Sequence, residues 1–401
     1  MTPTTPSPDV KSARHGGWVL LSGAFLTFAL SAALMHAYGV YLLAFLEEFG
    51  WTRADTSIAY AVSQLVGGFC SWPIGVMVDR LGPRRLLIVG GVLLALGLYA
   101  SAHASQLWHI IVLYGVVMTI GANCLGLVVF VPILSRLFVG RRGMAISIVQ
   151  SASGFGRAAA APFGQIAISL FGWRDAYVVQ AALMAVLVLP LAALFRGSER
   201  PRPEAATVAS VAVRTWSLRT AIVTSHFWLL FLVYLCTGLG SFFVSLHQLA
   251  FAVDMGFDKL YAAQVIGFGA LLSVVGSVMT GTVSDHIGRE LAGILAYGVS
   301  IVGVAAALLI TGPDDHLLLW LHSCLFGITW GSRGPTITAK VADLFPGPNL
   351  GAVLGVVTIG SGIGAAAGSW GAGWIYDVTG SYRVAVWLSI AAYVVGSIAY
   401  W

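Results

Sequence analysis

The chain has 401 residues, 58% of them hydrophobic and only 9% charged, with a formal net charge of +5 and a mean hydropathy of +0.89. Soluble domains carry about 25% charged residues, so too little charge is present to cover a water-facing surface. A soluble enzyme, a disordered chain and a nucleic-acid binder are all poor readings despite the positive balance. At about 20 residues per membrane helix plus short loops, the length has room for about twelve spans.

Residues 1–16 are rich in Pro, Ser and Thr, carry Lys11 and Arg14, and lead straight into a long apolar run. No cleavable signal is recognisable, so the first span is expected to stay in the membrane. Apolar runs follow near 17–45, 55–78, 84–103, 107–134, 143–169 and 176–195. A second set lies near 226–251, 261–283, 290–311, 316–341, 350–376 and 384–401. The longest polar stretch divides them. This predicts an all-α membrane protein with a six-helix bundle at 1–195, a linker at 196–225 and a second six-helix bundle at 226–401. Fifteen of the basic residues fall on one side of these spans, including Arg80, Arg84, Arg85, Arg136, Arg141, Arg142 and five in the linker. Arg53, Arg174, Lys259 and Arg383 are the four on the other. By the positive-inside rule that places both termini in the cytoplasm. Cys70, Cys124, Cys236 and Cys324 all lie in apolar stretches and read as small core hydrophobes, with neither a disulfide framework nor a metal site.

The loop after the second span reads Gly75-Val76-Met77-Val78-Asp79-Arg80-Leu81-Gly82-Pro83-Arg84-Arg85, and the loop after the eighth reads Gly281-Thr282-Val283-Ser284-Asp285-His286-Ile287-Gly288-Arg289. The Gly-to-Asp and Asp-to-Gly spacings agree, at an offset of 206 residues. Ser153-Gly154-Phe155-Gly156 and Ser361-Gly362-Ile363-Gly364 repeat at 208, as do Gly172 and Gly380. A six-helix unit is duplicated in parallel, the sign of two bundles related by an axis along the membrane normal. Gly75 lets helices approach closely, and Asp79 puts an anion near a helix end with arginines beside it.

This pair of loops resembles the signature of the major facilitator superfamily, and the resemblance covers the whole chain. It implies a twelve-helix, two-bundle transporter. In it Gly75, Asp79, Arg80 and Arg85, with the echo at Asp285 and Arg289, hold the bundles together on the cytoplasmic side and release them during alternating access. A narrower resemblance is carried by His15-Gly16-Gly17-Trp18, Tyr38-Gly39-Val40-Tyr41, Phe45-Leu46-Glu47-Glu48-Phe49-Gly50, Asp55-Thr56-Ser57 and Arg141-Arg142-Gly143-Met144-Ala145. These look like the monocarboxylate transporter family and its bacterial oxalate/formate-type relatives. They imply proton-coupled movement of a lactate- or pyruvate-type anion across a bacterial inner membrane.

None of the sixteen acidic residues lies near the middle of a span. A carrier of protons, cations or sugars usually needs a carboxylate there. Two spans instead carry a mid-depth arginine, so the polar centre is net positive and its cargo is expected to be an anion. Arg333, in Gly327-Ile328-Thr329-Trp330-Gly331-Ser332-Arg333-Gly334-Pro335, is about twelve residues from the cytoplasmic end of its span, near the midplane at ~1.5 Å per residue. A guanidinium there costs roughly 2.5–3.5 kcal/mol on insertion scales, which a bidentate substrate carboxylate would offset. The alternative is an arginine that locks its own span through backbone carbonyls. Arg157 sits at similar depth among small residues, where packing competes with substrate contact. Two arginines in one cavity would suit a dicarboxylate such as oxalate.

His36 occupies the place where the resemblance puts a mid-span lysine, and imidazole titrates in the range a proton carrier needs. His247 has similar standing, so both are candidates for substrate and proton; Asn123 and Trp330 are candidate wall residues. The resemblance also leads one to expect an aspartate and an arginine one turn apart in span eight, but Leu271–Met279 holds neither. No nucleotide motif, cofactor motif or catalytic constellation is present, so the chain reads as no enzyme, with a small carboxylate, protons and the bilayer as its partners. An anion exchanger of the oxalate/formate type and a non-transporting nutrient sensor are the other readings that fit.

Overall fold

A computed structural model describes residues 8–138, 142–195, 216–345 and 350–401. The expected linker falls outside this set apart from its end, where Ser217 caps a short helix, Leu218–Ile222. All regular structure among the described residues is helical, and it forms twelve rods. Span 1 comprises Pro8–His36 and Tyr38–Phe49, span 2 Arg53–Leu81, and span 3 Pro83–Ala102. Span 4 runs through Leu107–Val112, a π-turn at Leu113–Met118, Thr119–Asn123 and Leu127–Leu137. Spans 5 and 6 share the 53-residue stretch Arg142–Leu194. Span 7 is Ser225–Ser245 with Gln248–Asp254, and spans 8 to 12 are Lys259–Ile287, Arg289–Leu308, His316–Leu344, Leu350–Thr379 and Arg383–Tyr400.

A straight helix of that 53-residue length would run ~80 Å at 1.5 Å per residue, against a hydrocarbon core of ~30 Å. Gly172, at φ 76° and ψ 163°, breaks it into two spans. Nine stretches among the described residues are long and apolar enough to cross a membrane; one of them holds both spans 5 and 6, and spans 2 and 10 are not among them. Those two spans carry polar residues along their length, Gln64 and Ser71 in one, Ser332 and Arg333 in the other.

The internal repeat reappears in the backbone. The glycines with positive φ among the described residues are Gly50, Gly82, Gly172, Gly256, Gly288 and Gly380. They pair at offsets of 206, 206 and 208 residues. Each ends or kinks a helix in a left-handed conformation that only glycine adopts cheaply. Packing follows the same symmetry: span 1 lies on span 5 as span 7 lies on span 11, and spans 9 and 12 pair as do spans 3 and 6. One buried cluster, with Tyr38, Tyr41, Phe45, Tyr114 and Tyr177, fills the first bundle and runs on into Leu249, Ala262 and Tyr382 of the second. A second, with Phe227, Tyr297, Phe345 and Tyr393, fills the other. The bundles meet where span 2 packs on span 11 and span 5 on span 8. Gly373 makes the first approach possible, because a Cβ there would lie 2.7 Å from the Arg53 carbonyl oxygen; one at Gly154 would lie 2.4 Å from Val274 Cγ2.

Candidate functional site

Spans 1 and 4 are broken within the membrane, at Ala37 and at Cys124–Gly126, and span 7 nearer its end away from the basic loops, at Leu246–His247. Irregular backbone at membrane depth is tolerated only inside protein or beside a polar cavity, and a cavity lies here between the bundles. It has three adjoining parts that share lining residues. A chamber of about 420 Å³ is bounded by His36, Tyr60, Asn123, Ser153 and Phe242 among others. A compartment of about 290 Å³ shares Ser153 with it and reaches Ser147, Gln150 and Ser277, toward the side that carries the basic loops. A niche of about 70 Å³ lies between them and the opposite face, with His36, Arg157, Ser245, Gln248 and Ser323 on its walls.

Arg157 borders both the niche and the second compartment. Its direction follows from its neighbour. Gly156 is pressed on span 1, where a Cβ would lie 2.3 Å from the Ala29 carbonyl oxygen. One residue further, 100° around the helix, Arg157 points to span 10 and lays its guanidinium 4.2 Å above the Trp330 ring. That cation–π contact leaves the N–H edge of the guanidinium available. None of the ion pairs among the described residues involves Arg157. Trp330 heads a row of rings: Phe242 at 5.1 Å, Tyr60 at 5.8 Å from Phe242, and Tyr114 at 6.1 Å from Tyr60.

His36 ends the first segment of span 1, and its Nδ1 lies 2.9 Å from the Ala32 carbonyl oxygen. A carbonyl only accepts, so Nδ1 carries the proton and Nε2 of the neutral ring is a bare acceptor. Asn123 donates through Nδ2 to the Thr119 carbonyl oxygen at 2.9 Å and stands on the chamber wall. Arg157, His36, Trp330 and Asn123 are therefore brought together around one cavity.

Arg333 is not. Span 10 presses Gly327 and Gly331 on span 8, where added Cβ atoms would lie 1.9 Å from the Gly269 and 1.8 Å from the Ser273 carbonyl oxygen. Arg333, two residues beyond Gly331, points away from that contact into the second bundle. It is 2% exposed, donates to Ser300 Oγ at 3.1 Å and Ser241 Oγ at 2.9 Å, and lies 4.5 Å from the Tyr393 ring. Its Nε is buried without a partner. The expected substrate arginine thus ties span 10 to spans 7 and 9 through side-chain hydroxyls and to span 12 through the Tyr393 ring, and Trp330 takes the place at the cavity.

His247 is also elsewhere. It is 1% exposed and lies in a network that joins the bundles on the face opposite the basic loops. Its Nε2 donates to the Ser369 carbonyl oxygen at 2.9 Å and lies 3.2 Å from Ser57 Oγ, while Nδ1 accepts from the Tyr382 hydroxyl at 3.1 Å. Arg53 donates to that same hydroxyl and, at 2.8 Å, to Asp254; its guanidinium rests 3.8 Å over the Tyr376 ring. Asp377 accepts from the Arg53 and Ala54 backbone N–H groups at 3.0 and 2.7 Å. Both nitrogens of His247 are committed, unlike those of His36. A third histidine, His322, donates to the Gly303 carbonyl oxygen at 2.7 Å and keeps a buried, unpartnered Nε2, but it is fully enclosed within the second bundle.

Arg53, Asp254, Asp377 and Tyr382 were invisible as a site in the sequence, where they read as loop charges and a loop aromatic. The available signal was the repeat. Arg53 and Lys259 open spans 2 and 8 at an offset of 206, and each pairs across the bundles, Arg53 with Asp254 and Lys259 with Glu47. Among the expected gating residues, Gly75 packs within its own bundle beside Val128, and Arg80 and Arg85 are exposed. Arg289 pairs with Asp343 on span 10, next to a Lys340–Glu290 pair at 3.3 Å. The side chains of Asp79 and Asp285 lie outside the described residues.

The sequence matches the family profile described as Major Facilitator Superfamily over residues 20–346. Monocarboxylate transporter 13 of Rattus norvegicus is 28% identical over 95% of this chain and 87% of its own length. Monocarboxylate transporter 2 of Homo sapiens is 24% identical over 99% and 87%. The uncharacterized MFS-type transporter YcxA of Bacillus subtilis (strain 168) is 22% identical over 92% and 90%. A crystal structure of the nucleoside transporter NupG superposes with a TM-score of 0.77 at 13% identity, covering 96% of this chain and 98% of the other, which shows a shared fold. With a family match across most of its length and two six-helix bundles around a central cavity, the chain belongs to the major facilitator superfamily and is a membrane transporter, not an enzyme.

Proposed function

We propose that this transporter carries monocarboxylates by alternating access, coupled to protons, with Arg157 as the carboxylate site and His36 as the proton site. The observation that carries the reading is a guanidinium held at the centre of the molecule, on the cavity wall, with no carboxylate among the described residues paired to it. Its cost in a low-dielectric setting is offset when a substrate anion arrives, which gives affinity and orientation together. The relatives named as monocarboxylate transporters support the substrate class.

Niche residues come from both bundles, His36 and Arg157 from the first and Gln248 and Ser323 from the second. A ligand there touches both, as rocking of one bundle against the other requires. With the Arg53–Asp254–Tyr382–His247 network closed, the cavity opens toward the basic side, which the positive-inside rule makes the cytoplasm of a bacterial inner membrane. The structure then corresponds to the inward-facing state. In it His36 lines the same niche as Arg157, so a proton taken up at its bare Nε2 and a carboxylate bound at Arg157 would neutralise one another's charge before crossing.

The test is uptake of labelled monocarboxylates into proteoliposomes with and without an inward proton gradient. The expected result is uptake that rises with the gradient, and a His36→Gln variant that still exchanges substrate but no longer responds to it. Uptake indifferent to the gradient in the native chain would remove proton coupling. Equal gradient response in His36→Gln would move the proton site elsewhere.

A further inference from the structure

Resting on the monocarboxylate reading, we infer that the site takes aromatic or comparably bulky monocarboxylates in preference to anions of lactate size. Its parts divide the work. The niche holding Arg157 and His36 has about 70 Å³. At ~30 Å³ per water that is room for two waters, or for the two oxygens of one carboxylate.

The chamber beyond His36 has about 420 Å³, some fourteen waters by the same measure, within the ~300–1,000 Å³ of pockets that enclose drug-sized molecules. Lactate has three heavy atoms beyond its carboxylate and leaves that chamber almost unfilled. The walls are suited to a ring: Tyr60, Tyr114 and Phe242 border the chamber, and Tyr60 lies 5.8 and 6.1 Å from the other two. Offset or edge contacts with such rings favour an aromatic ligand beyond the area it buries. A dicarboxylate fits poorly, because its second anion needs a second cation and Arg333 is enclosed among Ser241, Ser300 and Tyr393.

Gly68 provides the means of testing this. It borders the chamber and a narrow crevice facing span 11, a Cβ added there meets nothing within 4 Å, and it is not among the niche residues, so Gly68→Leu takes up space at the chamber wall and leaves the niche unaltered. In proteoliposomes, labelled phenylacetate, lactate and oxalate are compared for wild type, Gly68→Leu and Phe242→Ala. The expected result is a KM for phenylacetate at least tenfold below that for lactate in the wild type. Gly68→Leu should raise the phenylacetate KM at least tenfold and leave lactate within threefold. Phe242→Ala, on the facing wall, should erode the same preference and serves alone if Gly68→Leu does not insert. Lactate or oxalate handled as well as phenylacetate would overturn the inference and leave a carboxylate carrier standing. Variants that weaken phenylacetate and lactate alike would also overturn it. If none of the three anions is transported or bound, the monocarboxylate reading falls with it.

Discussion

The two bundles descend from one repeat, and each carries one arginine at mid-depth, yet the two arginines meet different fates. Arg157 faces the cavity across the Trp330 ring, whereas Arg333 is enclosed by Ser241, Ser300 and Tyr393. Residue type and depth are the same; helix register decides. Glycines choose the face each span presses on its neighbour, Gly156 against span 1 and Gly327 with Gly331 against span 8. The side chain one or two positions on is then aimed toward the cavity or away from it. A buried cation in a membrane protein is therefore a functional candidate only once its direction is known.

The largest expected effect comes from changing the register that separates the two arginines. A Cβ at Gly331 would lie 1.8 Å from a backbone oxygen of span 8, so Gly331→Val forces the helices apart. It should abolish a monodisperse folded species in size-exclusion chromatography; near-native yield would show that the close contact does not orient span 10. Next is Arg333→Gln, which removes two hydrogen bonds from a charged donor, each worth about 1.5–3 kcal/mol. It should lower the melting temperature measurably while leaving substrate affinity within threefold. An unchanged melting temperature with lost affinity would return Arg333 to the cavity.

The repeat also supplies a pair on the outer face. Asp254→Asn weakens the half-buried Arg53 pair, whose side chains are 11% and 23% exposed. It should raise labelling of a cysteine placed at Gln64, from the outer side, by about tenfold, as a loss of ~1.4 kcal/mol implies. Lys259→Ala breaks the repeat-related pair with Glu47, where exposure is 39% and 62%. Exposed pairs contribute little, so labelling should change by less than twofold. Equal effects from both variants would make the latch symmetric.

Much of this was legible in the sequence, and the reasons differ by level. Span number and the division into bundles follow from apolar runs and from loop motifs repeated at 206 residues. The Gly50–Gly256 pair was equally present but carries no neighbouring motif, so only the backbone dihedrals exposed it. Depth was legible as well, and the structure sets Arg157, His36, Asn123 and Trp330 on pocket walls. Direction was not, because it depends on which face of a helix packs on a neighbour, and for that reason the structure sets Arg333 and His247 in enclosed hydrogen-bond networks that the sequence did not show. The outer network joins residues more than 200 positions apart, such as Arg53 and Asp254, whose charges look like ordinary loop charges until the fold brings them together.

The central claim is that of the two arginines only Arg157 meets the substrate. The direct measurement is the affinity of the purified transporter for phenylacetate, by calorimetric titration, in wild type, Arg157→Gln and Arg333→Gln, each first shown to be monodisperse. The account predicts binding lost by at least a hundredfold in Arg157→Gln and retained within threefold in Arg333→Gln. Retained binding in Arg157→Gln with loss in Arg333→Gln would contradict it.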